Sequence, residues 1–268
     1  MKFIHVTDLH LVAPGQTLWG IDPAARLRAC LDDILAHHSD TAFVAITGDL
    51  TERGDPASYG LLREMLSSFP LETHLMIGNH DDRANFRAVM SDHPVDPGGH
   101  IQHAIERDGC HFLFLDTLKG PPSSAGLYDA ARQDWLRNRL EAAGSAPVYL
   151  FMHHPPFPIA HPLMDLIALE DGEAFAGLLV GHDVRHIFFG HGHRAVSGRW
   201  RGISYSAEPS LAHQLPLSGT AVPTVYSHEP PAYGVVHLLD DQIVVHSDCF
   251  LNRHAADMAP DAERGDWY

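Results

Sequence analysis

Short apolar runs recur along the chain, and most stop at a polar cluster. Residues 3–7, 43–47, 73–77, 147–152 and 184–189 are dominated by β-branched and apolar side chains, the pattern of buried strands. Between the first three the period changes. Leu27, Leu31, Ile34 and Leu35 recur at helical spacing behind Asp22-Pro23, which predicts a helix of about 16 residues. Tyr59, Leu62 and Met65 do the same behind Asp55-Pro56. Strand–helix alternation of this kind predicts parallel βαβ units.

Further on, the pattern predicts a helix near residues 83–90, a turn-rich linker at 92–99 and a hairpin from 100–106 and 110–115 around Arg107-Asp108-Gly109. A helix over 129–143 follows, and 163–180 reads as mostly helical. Strands are expected at 195–200 and 203–207, a long irregular stretch at 211–231, and a second hairpin at 233–250 turning at Asp240-Asp241. The tail from Asn252 is polar and expected to fray. No internal repeat and no sharp domain boundary is visible. Two sheets face to face with helices outside accommodate both halves.

At 268 residues the chain can bury one large α/β core, and 45% apolar residues with a mean hydropathy of −0.12 are ordinary for a globular protein. The charge balance narrows the partners. Lys and Arg number 18 against 34 for Asp and Glu, a net charge of −16. That argues against long nucleic acids and anionic membranes, which need basic surface. A small anionic substrate stays open, because a metal pair can reverse the local field. Cys30, Cys110 and Cys249 form no CxxC and no disulfide framework, so a reducing compartment is expected. With no signal-peptide pattern at the start and no run of about 18 apolar residues, the expected location is cytoplasmic.

Histidine is the outlier, with 22 in the chain. Five strand ends carry ligand-type residues: Asp8/His10, Asp49, Asn79/His80, His153/His154 and His191/His193. In open α/β sheets ligands bind beyond the carboxyl ends of strands. In an extended chain residues i and i+2 point the same way, so Asp8 can join His10, and His191 can join His193 across Gly192. Carboxylate and imidazole suit Zn, Mn, Fe or Ni, and the lack of thiolate argues against a structural zinc site. Asn79 is a neutral oxygen donor that would leave its metal more electrophilic. Each piece alone has an ordinary reading. Asp-x-His is a turn beside a surface histidine, Gly78-Asn79-His80-Asp81 a turn before an Asp helix cap, and His153-His154-Pro155-Pro156 a rigid strand exit. All five in this order are specific together. His154, next to a ligand on a strand, is expected to face the other way.

The segments Asp8-Leu9-His10, Gly48-Asp49, Gly78-Asn79-His80-Asp81, His153-His154 and Gly190-His191-Gly192-His193 resemble the calcineurin-like metallophosphoesterase signature over residues 1 to about 200. Gly48-Asp49-Leu50-Thr51-Glu52-Arg53-Gly54, the block from Met152 to Pro156, Met164-Asp165 and His213-Gln214 are similar to the bacterial branch of class III cyclic-nucleotide phosphodiesterases and glycerophosphodiesterases. The resemblance implies an α/β (α+β) fold, a four-layer αββα sandwich of two mixed sheets flanked by helices, with a small C-terminal cap or dimerisation hairpin. Residues 1–210 would form the catalytic domain. Residues 211–268 would form the cap or dimerisation loop and the hairpin that completes the sandwich.

By the same resemblance, two metal ions (Fe, Mn or Zn) are implied. The first would take Asp8, His10, Asp49 and His193, and the second Asp49, Asn79, His153 and His191, with Asp49 bridging. His80 falls on the family's catalytic histidine. Asn79, His80, His213 and Trp19 fall on substrate-side positions. Thr51-Glu52-Arg53-Gly54 departs from the Val-Asp-Arg-Gly of protein phosphatases. The reading is hydrolysis of small phosphodiesters, cyclic nucleotides or glycerophosphodiesters, by attack of a metal-bound hydroxide, in a homodimer or higher homo-oligomer. A phosphomonoesterase or nuclease on the same site, and a non-catalytic metal-dependent binding protein, are the alternatives.

Overall fold

Six phenylalanines, Phe3, Phe43, Phe112, Phe114, Phe151 and Phe188, fill the space between two β-sheets and pack against one another in stacked and edge-on pairs. Truncating one such ring to alanine costs about 3–5 kcal/mol, so this layer sets the spacing of the sandwich. The computed structural model describes residues 1–217 and 225–251. The tail expected to fray from Asn252, and residues 218–224 of the irregular stretch, lie outside the described residues.

One sheet has the order β11-β10-β1-β2-β3, from β1 (Lys2–Val6), β2 (Val44–Thr47), β3 (Thr73–Met76), β10 (Tyr233–Leu238) and β11 (Ile243–Asp248). The other has the order β4-β5-β6-β7-β9-β8, from β4 (His103–Arg107), β5 (Cys110–Phe114), β6 (Val148–Met152), β7 (Val184–Phe189), β8 (Val196–Trp200) and β9 (Ile203–Ala207). Both sheets are mixed. β1, β2 and β3 run parallel, as do β5, β6, β7 and β9, while the hairpins contribute antiparallel margins.

Helices α1 (Pro23–His38) and α2 (Pro56–Ser67) bury Leu27, Leu31, Ile34, Tyr59 and Leu62 against the outer face of the first sheet. α4 (Ala130–Ala143) and α5 (Gly172–Leu179) bury Trp135, Leu136, Leu140 and Phe175 against the second. The result is the four-layer αββα sandwich. α1, α2, α3 (Arg83–Val89) and α4 each start behind an aspartate, Asp22, Asp55, Asp82 or Asp129, whose carboxylate accepts a backbone N–H of the first turn. Each cap stabilises its helix by about 1 kcal/mol.

Residues 163–180 are helical only in part. A 3-10 turn at Met164–Leu166 and α5 are separated by a stretch held by other partners. Leu169 N donates to Pro155 O, and Gly126 N and Glu170 N pair with Ala168 O and Gly126 O. Asp171 then turns left-handed. Tertiary hydrogen bonds override helical propensity here because this stretch forms a wall of the site described next. No helix among the described residues is long and apolar enough to cross a membrane.

Candidate metal centre

The parallel strands of both sheets end at one edge, and the expected ligands lie just beyond them. Asp8 and His10 follow β1, Asp49 follows β2, and Asn79 and His80 follow β3. His153 and His154 follow β6, His191 and His193 follow β7, and His213 follows β9.

Asp8 and His10 do converge, but not through an extended chain. Asp8, His10, Asp49, His191 and His193 all sit in the left-handed region, with φ of 55°, 46°, 47°, 67° and 48°. Such backbone costs about 1 kcal/mol or more per residue and persists only where the surroundings over-determine it. The surroundings do so. Asp8 N donates to Gly48 O (3.1 Å), His10 N to Asp49 O (2.9 Å) and Gly190 N to His153 O (3.1 Å). His191 N donates to both carboxylate oxygens of Asp8, at 3.2 and 3.1 Å. Two close approaches require glycine. A Cβ at Gly78 would lie 2.3 Å from Asp49 Oδ1, and one at Gly190 would lie 2.2 Å from Thr7 Oγ1.

Ligand-type atoms of Asp8, His10, Asp49 and His193 all lie within 4.8 Å of one another. His10 Nε2 is 3.6 Å from Asp49 Oδ2, and His193 Nε2 is 3.3 Å from Asp8 Oδ1. On the other side of Asp49, His153 Nε2 is 3.4 Å from Asp49 Oδ2 and 3.1 Å from Asn79 Oδ1. His191 packs its ring 5.0 Å from that of His153. Asp49 thus stands between the two groups.

The outward nitrogens settle the tautomers. His10 Nδ1–H donates to the Glu52 carboxylate (2.8 Å), His193 Nδ1–H to His213 O (2.8 Å) and His153 Nδ1–H to Thr47 O (2.7 Å). In the neutral rings every Nε2 then points a lone pair inward, toward carboxylate and amide oxygens. A buried set made only of acceptors is shaped for cations, and neutral imidazole with its other N–H bonded is the usual metal-binding form. The carboxylates draw positive charge to this place: burial opposes a charged His153, yet Asp49 and Asp8 push it up to about 9, so a proton on its Nε2 competes with a cation for the same position. Burial would raise Asp8 and Asp49, yet His193 and His153 hold them below the ordinary carboxylate range.

His80 stands at the lip. Its backbone N–H donates to Asp49 Oδ1 (2.9 Å) and its Nδ1–H to Glu52 O (3.0 Å), which leaves Nε2 for the cleft. Burial disfavours its charged form, but Asp49 and Glu52 outweigh that and raise its pKa. His213 is buried with its ring 4.5 Å from that of His193 and 4.9 Å from that of His10. One of its nitrogens lies within 4.8 Å of ligand nitrogens of both, so it borders the first group as closely as it borders the cleft. Trp19 stacks on Tyr226 at 4.2 Å and 19°, and both rings meet His213 edge-on at 4.4 Å.

Three residues go beyond the sequence-based reading. His154 does not face away. Its ring packs 4.6 Å from His191, and its Nδ1 pairs with Thr117 Oγ1 (2.7 Å). Glu52 orients His10 and lies 3.6 Å from His80 Nδ1; its position three residues after Asp49, in the same turn, was the available signal. Asp81 is not the helix cap, which is Asp82. Its carboxylate instead accepts from Leu50 N, Thr51 N, Gly78 N and Tyr59 Oη at 2.9–3.1 Å, tying the Asp49 turn to the Asn79 turn. A cavity of about 250 Å³ opens over the cluster, lined by Asp49, Asn79, His80, His191, His193 and His213 together with Leu163, Ile167, Leu215 and Tyr226, and among the described residues no Lys or Arg lines it.

Residues 1–195 match the calcineurin-like phosphoesterase family. The chain belongs to that family. Members carry a dinuclear metal site, and the phosphoesterase has a His/Asp cluster that could hold metal. It is a hydrolase of the metallophosphoesterase class. The phosphoesterase is 38% identical over 255 residues to a probable cyclic nucleotide phosphodiesterase of Rhodopseudomonas palustris, covering 94% of this chain and 93% of that one. It is 29% identical over 238 residues to the glycerophosphodiester phosphodiesterase GpdQ of Enterobacter lignolyticus, covering 87% and 85%. Its fold superposes on a dimetal phosphatase of Danio rerio with a TM-score of 0.72 at 16% identity, covering 93% and 96% of the two chains.

Proposed function

We propose that this phosphoesterase hydrolyses small phosphodiesters, 3′,5′-cyclic nucleotides ahead of glycerophosphodiesters, at a dinuclear metal site. The observation that carries the preference is the Trp19–Tyr226 pair beside His213. The two rings are 46% and 42% exposed at the mouth, so each keeps apolar surface for a flat ligand. Base–aromatic stacking contributes about 1–3 kcal/mol. A nucleobase can use that surface, and a glycerol group cannot. Two relatives with this architecture carry the names of the two substrate classes.

Asp8, His10, Asp49 and His193 would hold one ion, and Asp49, Asn79, His153 and His191 the other. Oxygen and imidazole donors without thiolate fit iron, manganese or zinc. The bound pair supplies Lewis acidity to the phosphoryl group and to a water. The water oxygen bonds to phosphorus as the bond to the leaving ester oxygen breaks. His80, whose charged form the field of Asp49 and Glu52 favours, would donate from Nε2 to the departing oxygen, the role suited to an imidazole near neutral pH. His213 and Asn79 border the same space. With no cationic side chain in the lining among the described residues, a monoanionic diester fits better than a dianionic monoester, and the net charge of −16 disfavours long nucleic acids.

A substrate panel on metal-defined protein tests this, comparing cAMP, 2′,3′-cyclic AMP, glycerophosphoethanolamine and p-nitrophenyl phosphate. The cyclic nucleotides should be turned over with the highest kcat/KM. Trp19→Ala should raise their KM about tenfold, the equivalent of about 1.4 kcal/mol of stacking, and leave glycerophosphoethanolamine unchanged. An equal loss on both substrates removes the base-stacking role. A fully metallated protein that cleaves no diester removes the phosphodiesterase reading itself.

A further inference from the structure

The interior between the sheets is aromatic over most of its width and turns polar at one margin. There, at the edge formed by β8 and β11, a cleft of about 480 Å³ opens between the sheets. His186, Ser206 and Glu208 line its inner wall, and Ile243, Val245 and Ser247 line the opposite side. None of these residues belongs to the metal cluster.

Glu208 directly follows the end of β9 and is only 2% exposed. Its side chain crosses the sandwich to β10. A Cβ at Gly234 would lie 2.9 Å from Glu208 Oε1, so glycine at 234 is what lets the carboxyl lie between the sheets. Among the described residues its Oε2 has no hydrogen-bond partner, and no Lys or Arg lines the cleft. Burial pushes the carboxyl up to about 7, against the slight relief of the Ser247 hydroxyl. Buried carboxylates are ordinarily paired, and among the described residues this one has no counter-charge.

The neighbouring hydrogen bonds define what is missing. The Ser204 hydroxyl donates to Arg185 O (2.8 Å), so His186 Nδ1–H must donate to Ser204 Oγ (2.8 Å). His186 Nε2 then accepts from the Ser206 hydroxyl (2.9 Å). The polar capacity still uncommitted on the inner wall is therefore acceptor capacity, on Ser206 Oγ and, in the ionised form that a bound cation would favour, on Glu208 Oε2. Beside it lie the apolar surfaces of Ile243 and Val245.

We infer that this cleft binds a small organic cation, a primary ammonium on an apolar body, with its N–H groups on Glu208 and Ser206 and its body along Ile243 and Val245. The experiment uses the metal-loaded full chain and titrates phenethylammonium chloride by calorimetry, with 2-phenylethanol as the uncharged control. The ammonium should bind saturably at one site and the alcohol should not. Glu208→Gln keeps the side chain's shape and removes its charge, and should weaken binding at least tenfold. Should that variant fail to fold, Ser247→Tyr fills the cleft from the exposed side of β11 and should abolish binding. No saturable binding to the wild type, equal binding of the alcohol, or binding that survives the folded variants would overturn the assignment. Survival in both variants would place the ammonium elsewhere, for instance on the Trp19–Tyr226 rings.

Discussion

The Nε2 atoms of His10 and His193 lie 3.0 Å apart, and each ring has its Nδ1–H committed to another acceptor. Two inward lone pairs at that distance repel unless positive charge lies between or beside them. Metal should therefore stabilise the fold as well as the reaction. Chelation is expected to lower the Tm, and stepwise return of manganese or zinc to restore it. An ion at about 100 times its Kd contributes about 2.7 kcal/mol. A Tm unmoved by chelator would show that the cluster binds no metal of consequence.

Asp49 and His80 should separate metal binding from rate. Asp49→Ala removes the carboxylate between the two ligand groups, so it is expected to lose at least one metal equivalent and nearly all turnover. His80→Ala should keep both equivalents and lose about 10²–10⁴-fold in kcat, the usual range for a general acid. Metal analysis beside single-substrate kinetics reads both outcomes. A His80 variant stripped of metal would make His80 a ligand instead.

Glu52 is a positioning residue, holding the ring of His10 through Nδ1. Loss of such an outer partner typically costs about 10–100-fold in metal affinity or activity. Glu52→Ala should show that loss in a competition titration for metal, and Glu52→Gln, which can still accept from Nδ1–H, should recover part of it. Unchanged metal affinity in the alanine variant would leave Glu52 with a purely structural role.

Acid should destabilise the protein through histidines far from the cluster. Burial pushes His186 down to about 3 and His103 down to about 2. Both are neutral in the folded state across that range, whereas in the unfolded chain they take up protons near pH 6.5. The unfolded state thus binds more protons as pH falls, so their stabilising effect is complete above about pH 6.5 and shrinks below it, by up to about 1.4 kcal/mol per pH unit for each group. Urea midpoints at pH 5 and pH 7 should show the drop. His103→Phe, which keeps a ring stacked on Phe114, should make it shallower. Identical slopes in wild type and variant would assign the acid sensitivity to other groups.

Much of the architecture is local information. The buried runs of β1, β2, β3, β6 and β7, the Asp-capped helices and the turn at Asp240-Asp241 are each set by side-chain period, capping chemistry or turn residues within a few positions, so the chain's own pattern determines them. The same holds for which residue types close each strand, since Asp8, His10, Asp49, Asn79, His153, His191 and His193 are all legible as strand-end ligands. What only the tertiary structure decided is how these ends meet. The left-handed turns at five of those residues are held by hydrogen bonds between segments as far apart as Asp8 and His191, and no local pattern encodes them. The tautomers follow from partners such as Thr47 O and His213 O, more than 100 and exactly 20 positions away from the rings they orient. The non-helical course of residues 167–171, the inward turn of His154, the Trp19–Tyr226 stack and the unpaired Glu208 between the sheets arise the same way. Each depends on long-range packing that outweighs the preference of its own segment.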